Sequence, residues 1–204
     1  MSPLVKVCGL TRPADAVACR RAGVDWLGLV FAPGPRRVTV ARALAIREAV
    51  PDAVLVGVFT AGPTPAVAAT ARRVGLDMVQ WHRPVDPVAV RNLREQLARP
   101  LLLLAAPRPR PELAPRAWLF DLPKGAPADP AAQRELWRRA AAARRAGLAV
   151  MLAGGLEPGN VGAAVAAAAP AVVDVSRGVE REPGVKSARL VERFLEEVRR
   201  ARHR

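Results

Sequence analysis

The stretch VMLAGGLEPGNVGAAVAAAAPAVVDVSRG, residues 150–178, decides the fold. It holds two short apolar runs, Val150–Ala153 and Val172–Val175, with a helical stretch, Pro158–Ala168, between them. Short apolar runs bounded by glycine, proline or polar residues read as strands covered on both faces. The helix opens on a proline, which lacks only a donor that the first turn would leave unpaired anyway. Strand, helix and strand in so short a span predict a right-handed crossover between parallel neighbours. Each strand also runs into small residues: Gly154-Gly155 after the first and Ser176-Arg177-Gly178 after the second.

The same alternation extends back to the N-terminus. Further strands are predicted at Val5–Cys8, Trp26–Phe31, Val54–Phe59, Met78–Gln80, Leu101–Ala105 and Trp118–Asp121. Helices are predicted at Pro13–Ala22, Ala41–Ala49, Thr64–Val74, Pro87–Leu97, Ala131–Ala146 and Ala188–Arg200. The fifth strand is followed by APRPRPELAP, whose prolines forbid a full helix. Eight strands and seven helices predict an α/β fold, a single (β/α)8 TIM barrel over residues 1–204 with a reduced fifth helix. No G-x-G-x-x-G follows the first strand, which argues against a dinucleotide-binding sheet.

Composition narrows the function classes. Hydrophobic residues make up 51% of the 204 and are dispersed, so a globular core is expected. No apolar run approaches the roughly 18 to 20 residues of a membrane span. The opening MSPLVKVCGL reads directly as a strand, so a cytoplasmic location is expected. Cys8 and Cys19 do not make a disulfide framework. The net charge is +14, yet only Lys6, Lys124 and Lys186 are lysines; the other basic residues are arginines spread over nearly every helix. Tyrosine is absent and no aromatics interleave with the arginines, so there is no platform on which bases would stack. A solvated basic surface is expected, and nucleic acid is not the expected partner.

In a barrel the reactive groups sit at the C-terminal strand ends. Those ends carry Cys8, Arg36, Gln80, His82, Asp121, Gly154, Gly155, Asp174 and Ser176 through Gly178. Cys8 and Asp121 are the proton-transfer candidates. Gly154, Gly155, Ser176, Arg177 and Gly178 are the phosphate candidates, because small residues let backbone N–H groups approach an anion after the last two strands. Taken alone, Cys8 would read as a small buried hydrophobe, Asp121 as a loop cap, His82 as a loop histidine and Arg36 as a surface arginine. Side chains alternate along a strand, so Lys6 and Cys8 share a face. Asp174 lies on the strand that closes against the first, which predicts a buried Lys6–Asp174 ion pair. The alternative is that Asp174 contacts substrate hydroxyls.

VKVCGLTRPADA, GLVFAPGPRRV, VGVF, VQWH, LFD, LAGGLEPGNV and VDVSRGVEREPGVKSARL, in this order, resemble the phosphoribosylanthranilate isomerase family of tryptophan biosynthesis. The resemblance implies a (β/α)8 barrel without metal or organic cofactor, active as a monomer or homodimer on a small phosphorylated substrate. It implies an Amadori rearrangement of N-(5-phosphoribosyl)anthranilate to 1-(2-carboxyphenylamino)-1-deoxyribulose 5-phosphate. Asp121 would be the general acid, Cys8 the general base, and Arg36 the receiver of the anthranilate carboxylate. The chain departs from the family pattern at Gly34 and Arg177, where serines are usual, at Arg83 in place of a glycine, and in the segment after Asp121, which is not glycine-rich. Arg177 would face either the phosphate or solvent. Two other readings stay open: another phosphosugar-binding barrel enzyme, or a non-catalytic basic barrel holding nucleic acid or a phosphorylated ligand.

Overall fold

Alternation along eight apolar runs gives each strand an inner and an outer face, and the two faces bury different clusters. Trp26, Val56, Met78, Leu102, Leu119, Met151 and Val172 pack together inside the ring. Val5, Val7, Leu27, Leu29, Leu55, Val79, Leu103, Leu152 and Val173 pack outward against the helices. The computed structural model describes residues 2–105, 109–123 and 129–201. The strands are β1 (Leu4–Cys8), β2 (Trp26–Val30), β3 (Val54–Phe59), β4 (Met78–Trp81), β5 (Leu101–Leu104), β6 (Ala117–Phe120), β7 (Val150–Leu152) and β8 (Val172–Val175). They form a closed parallel barrel in sequence order, sealed by β1 against β8.

The helices are α1 (Pro13–Ala22), α2 (Val40–Ala49), α3 (Thr64–Val74), α4 (Pro87–Gln96), α5 (Pro130–Arg145), α6 (Val161–Ala168) and α7 (Ala188–Ala201). In α7, Val191, Phe194, Leu195 and Val198 recur at three- and four-residue spacing and are buried, so one stripe holds the helix to the barrel. Full burial of each such side chain stabilises by about 1.5 to 3 kcal/mol. Residues 106–108 of the proline-rich segment after β5 lie outside the described residues; its remainder holds a single 3-10 turn, Pro111–Leu113. The reduced fifth helix is borne out to that extent.

Most elements match the sequence expectation to within one residue at each end, and two differ by more. α6 starts at Val161, three residues late, because Asn160 Oδ1 accepts from the Glu157 N–H (2.9 Å) and folds Pro158 and Gly159 into a turn. After β8 comes a short antiparallel hairpin that the sequence did not announce, β9 (Glu180–Glu182) and β10 (Val185–Lys186). At the opposite end of the barrel, Asp25 and Asp77 accept from the N–H groups of the second residues of β1 and β3 (Val5, 2.8 Å; Leu55, 2.9 Å). That end is held shut by backbone-to-carboxylate contacts, and the site candidates lie at the other.

Candidate active site

Cys8 ends β1 and faces inward, one layer above Lys6. Its neighbour across the ladder is Gly28 of β2. A Cβ at Gly28 would stand 2.8 Å from the Cys8 Sγ, so glycine is what leaves room for the thiol to lie over β2. Lys6 and Asp174 are register partners on β1 and β8, and the Lys6 Nζ donates to both Asp174 carboxylate oxygens at 2.9 Å. The expected ion pair is therefore present and buried under the mouth, Lys6 completely so. Burial alone would lower the lysine pKa, but the Asp174 and Cys8 charges more than offset this and hold it above its ordinary value.

Burial pushes the Cys8 thiol up, and the Lys6 and Lys186 ammoniums work against that rise. Cys19, on the buried side of α1, is pushed up to about 12 by burial, with Lys186 opposing the rise and Asp15 adding to it. Asp121 follows β6 at the same mouth. Burial raises its pKa first, and the Asp174 charge adds to this; His82, the Leu122 N–H and Lys6 oppose it. A carboxyl kept protonated towards higher pH is what a general acid requires.

His82 and Gln80 come from the end of β4. The His82 Nε2 lies 3.5 Å from the Asp121 Oδ2, and the Gln80 Nε2 lies 3.2 Å from the His82 Nδ1. With the Gln80 amide in this orientation it donates to Nδ1, which places the imidazole proton on Nε2, facing Asp121. Arg83, the residue in place of the family glycine, lays its guanidinium over the Trp81 ring at 5.2 Å and is thereby accounted for by packing.

Arg36 is engaged differently from the sequence expectation. Its Nε and Nη2 form a two-pronged pair with Glu180 (2.9 and 2.6 Å), so two donors of the fork are spent inside the protein. Glu180 is shared: Lys186 Nζ donates to it at 2.7 Å. The same ammonium donates to the carbonyls of Cys8 (2.5 Å) and Ser176 (3.2 Å). Lys186 thus ties the ends of β1 and β8 together. Burial would raise the Glu180 pKa, but the hydrogen bonds from Arg36 and Lys186 win and lower it. Glu180 and Lys186 were read in the sequence only as part of a motif; nothing in their spacing announced a clamp.

The phosphate candidates form two adjoining loops. Gly154 and Gly155 both have positive φ (86° and 74°), a conformation that glycine adopts without strain. Among the described residues, the N–H groups of Gly155, Leu156, Arg177 and Gly178 donate to no protein acceptor. A cluster of free backbone donors after the last two strands is an arrangement suited to an anion. Arg177 opens a 3-10 turn and is exposed, with no ion pair among the described residues. No group of three or more His, Cys, Asp or Glu among the described residues stands where it could hold a metal ion.

A family model described as N-(5'-phosphoribosyl)anthranilate (PRA) isomerase matches residues 5–101 and 134–197. The chain belongs to the phosphoribosylanthranilate isomerase family. An N-(5'-phosphoribosyl)anthranilate isomerase of Geobacter sp. (strain M21) is 38% identical over 203 residues, covering 96% of this chain and 98% of its own. Among solved members of the family, that of Thermus thermophilus superposes with a TM-score of 0.81 at 32% identity, over 97% of this chain and 98% of that one. Another, solved with reduced 1-(o-carboxyphenylamino)-1-deoxyribulose 5-phosphate, gives 0.80 at 26% identity, over the same shares of each chain. The fold expected from the residues is thus the fold of the isomerase family, closed barrel and seven helices included.

Proposed function

We propose that this chain converts N-(5-phosphoribosyl)anthranilate to 1-(2-carboxyphenylamino)-1-deoxyribulose 5-phosphate, with Asp121 as general acid and Cys8 as general base. The observation that carries the reading is a part-buried carboxyl of raised pKa and an inward thiol beside two ammoniums, at the strand ends of a barrel whose last two strands run into unpaired N–H groups. Asp121 protonates the ribose ring oxygen as the ring opens to an iminium. Cys8 takes the proton from C2, giving an enolamine. Loss of the O2 proton and gain of one at C1 then yield the ketone, so no atom is added or lost overall. The Gly154–Gly155 and Ser176–Gly178 loops hold the phosphate. Arg36, fixed by Glu180, presents its remaining N–H donors to the anthranilate carboxylate, and Gln80, His82 and Asp174 line the substrate.

In this reading one domain over residues 1–204 works in the cytoplasm, as a monomer or homodimer, without metal or cofactor. No helix among the described residues is long and apolar enough to cross a membrane. The test is to mix the protein with freshly generated phosphoribosylanthranilate and follow the loss of its fluorescence. A rate no greater than the uncatalysed decay would refute the assignment.

A further inference from the structure

The glycine loop after β7 is held from behind. Gln133, in the second turn of α5 and almost fully buried, donates its Nε2 to the carbonyls of Gly154 (3.2 Å) and Gly155 (2.9 Å). Asn160 Nδ2 donates to the Gly155 carbonyl as well, at 3.0 Å. A trans peptide points its C=O and N–H in opposite directions within one rigid plane. The Gly154 carbonyl shares its plane with the Gly155 N–H, and the Gly155 carbonyl with the Leu156 N–H. Fixing both oxygens towards α5 therefore fixes both N–H groups away from it, and these are two of the donors that have no protein acceptor among the described residues.

We infer that Gln133 is the positioning residue of the phosphate cradle: its amide holds the Gly154 and Gly155 carbonyls so that the Gly155 and Leu156 N–H groups face the phosphate. This rests on the isomerase reading only for the identity of the phosphate ester. Glycine is the residue most free to rotate, so two in succession would not keep their peptide planes without an external hold. Gln133 supplies it because a primary amide has two N–H donors for two carbonyls. The helix that carries it is itself fixed at its start: Asp129 Oδ1 accepts from the Ala131 and Ala132 N–H groups at 2.9 Å each. The link thus runs from an N-cap, through a side-chain amide, to backbone donors at the ligand.

The phosphate does not react, so a poorly aimed cradle weakens ground and transition states alike. The cost appears in KM and not in kcat. Gln133→Glu keeps the shape and removes both donors, turning a carboxylate towards two carbonyl oxygens. Its KM is expected to rise about tenfold or more, with kcat within about twofold of the parent. Its Kd for inorganic phosphate, measured by calorimetry, should rise by the same factor. Gln133→Leu, which removes the donors without adding charge, should show the same split. If either variant, folded by circular dichroism, binds phosphate and substrate like the parent, Gln133 does not position the cradle. A fall in kcat at unchanged KM overturns the inference equally, as does a parent protein that binds no phosphate. A parent that binds phosphate yet leaves phosphoribosylanthranilate untouched removes the isomerase reading alone, and the calorimetry still tests Gln133.

Discussion

The ammonium of Lys6 and the carboxylate of Asp174 meet across the seam that closes the barrel, with both oxygens accepting at 2.9 Å. The pair is buried beneath Cys8, and its ammonium is the positive charge that acts most strongly on the thiol. A buried pair of this kind is sensitive to the loss of one member, because the other is left charged without compensation.

Lys6→Met should therefore cost about 3 to 5 kcal/mol of stability, read by denaturant unfolding. It should also act on the chemistry. The ammonium lowers the thiol pKa, so removing it raises that pKa further, and the ascending limb of the pH–rate profile moves to higher pH. A destabilised variant with an unmoved limb would show that Lys6 supports the barrel and has no part in tuning Cys8.

Cys8→Ser should bind a product analogue almost normally and lose about 10²- to 10⁴-fold in turnover, because a hydroxyl is a much weaker base than a thiolate. Single-turnover kinetics with titrated analogue binding separates the two effects. Turnover near that of the parent would take Cys8 out of the mechanism.

Asp121→Asn should lose activity by a similar factor and gain stability near neutral pH. The folded-state pKa of Asp121 is raised above its ordinary value, so ionisation favours the unfolded chain. That penalty is absent below the ordinary carboxylate range and grows as the pH rises through the raised value. The melting temperature of Asp121→Asn relative to the parent should accordingly climb with pH. A difference that stays flat between acid and neutral pH would contradict the raised pKa.

Glu180→Ala removes the shared acceptor of Arg36 and Lys186 and should cost about 3 to 5 kcal/mol. The Glu180 pKa is lowered, so its contribution is complete above the ordinary carboxylate range and is lost as the pH falls through the depressed value. Acid unfolding monitored by circular dichroism should show a shallower pH dependence in the variant. KM should rise too, since Arg36 loses the partner that orients it. A variant with parental KM would leave Arg36 without a role in binding.

The barrel was legible because each strand is apolar enough to stand out against arginine- and alanine-rich helices. Most differences lie at strand ends: Asp121 and Ala153 read as the last strand residues, yet they stand just past the ladder. Cys8, Asp121 and the glycine pair were visible because position at a strand end is itself a chemical signal in this fold. The Lys6–Asp174 pair was derivable from alternation alone. Gln133 was not, since an amide in a helix of arginine and alanine follows no period and its partners are backbone carbonyls 21 and 22 residues away. The Glu180–Lys186 hairpin was hidden for a related reason: its strands are two and three residues long, charged, and too short to alternate. Arg36 was found, but its engagement with Glu180, 144 residues distant, was not.

The Lys186 ammonium reaches back 178 positions to the Cys8 carbonyl, and Asp174 reaches 168 to Lys6. On a ribosome adding roughly 5 to 20 residues per second, about 10 to 40 s separate the emergence of the strand that carries Cys8 from that of its latch. Through that interval Lys6 has no counter-ion and the β1 edge no parallel mate on one side. The growing chain thus carries its thiol early, and the surroundings that bury that thiol are complete only when the last strand seals the ring.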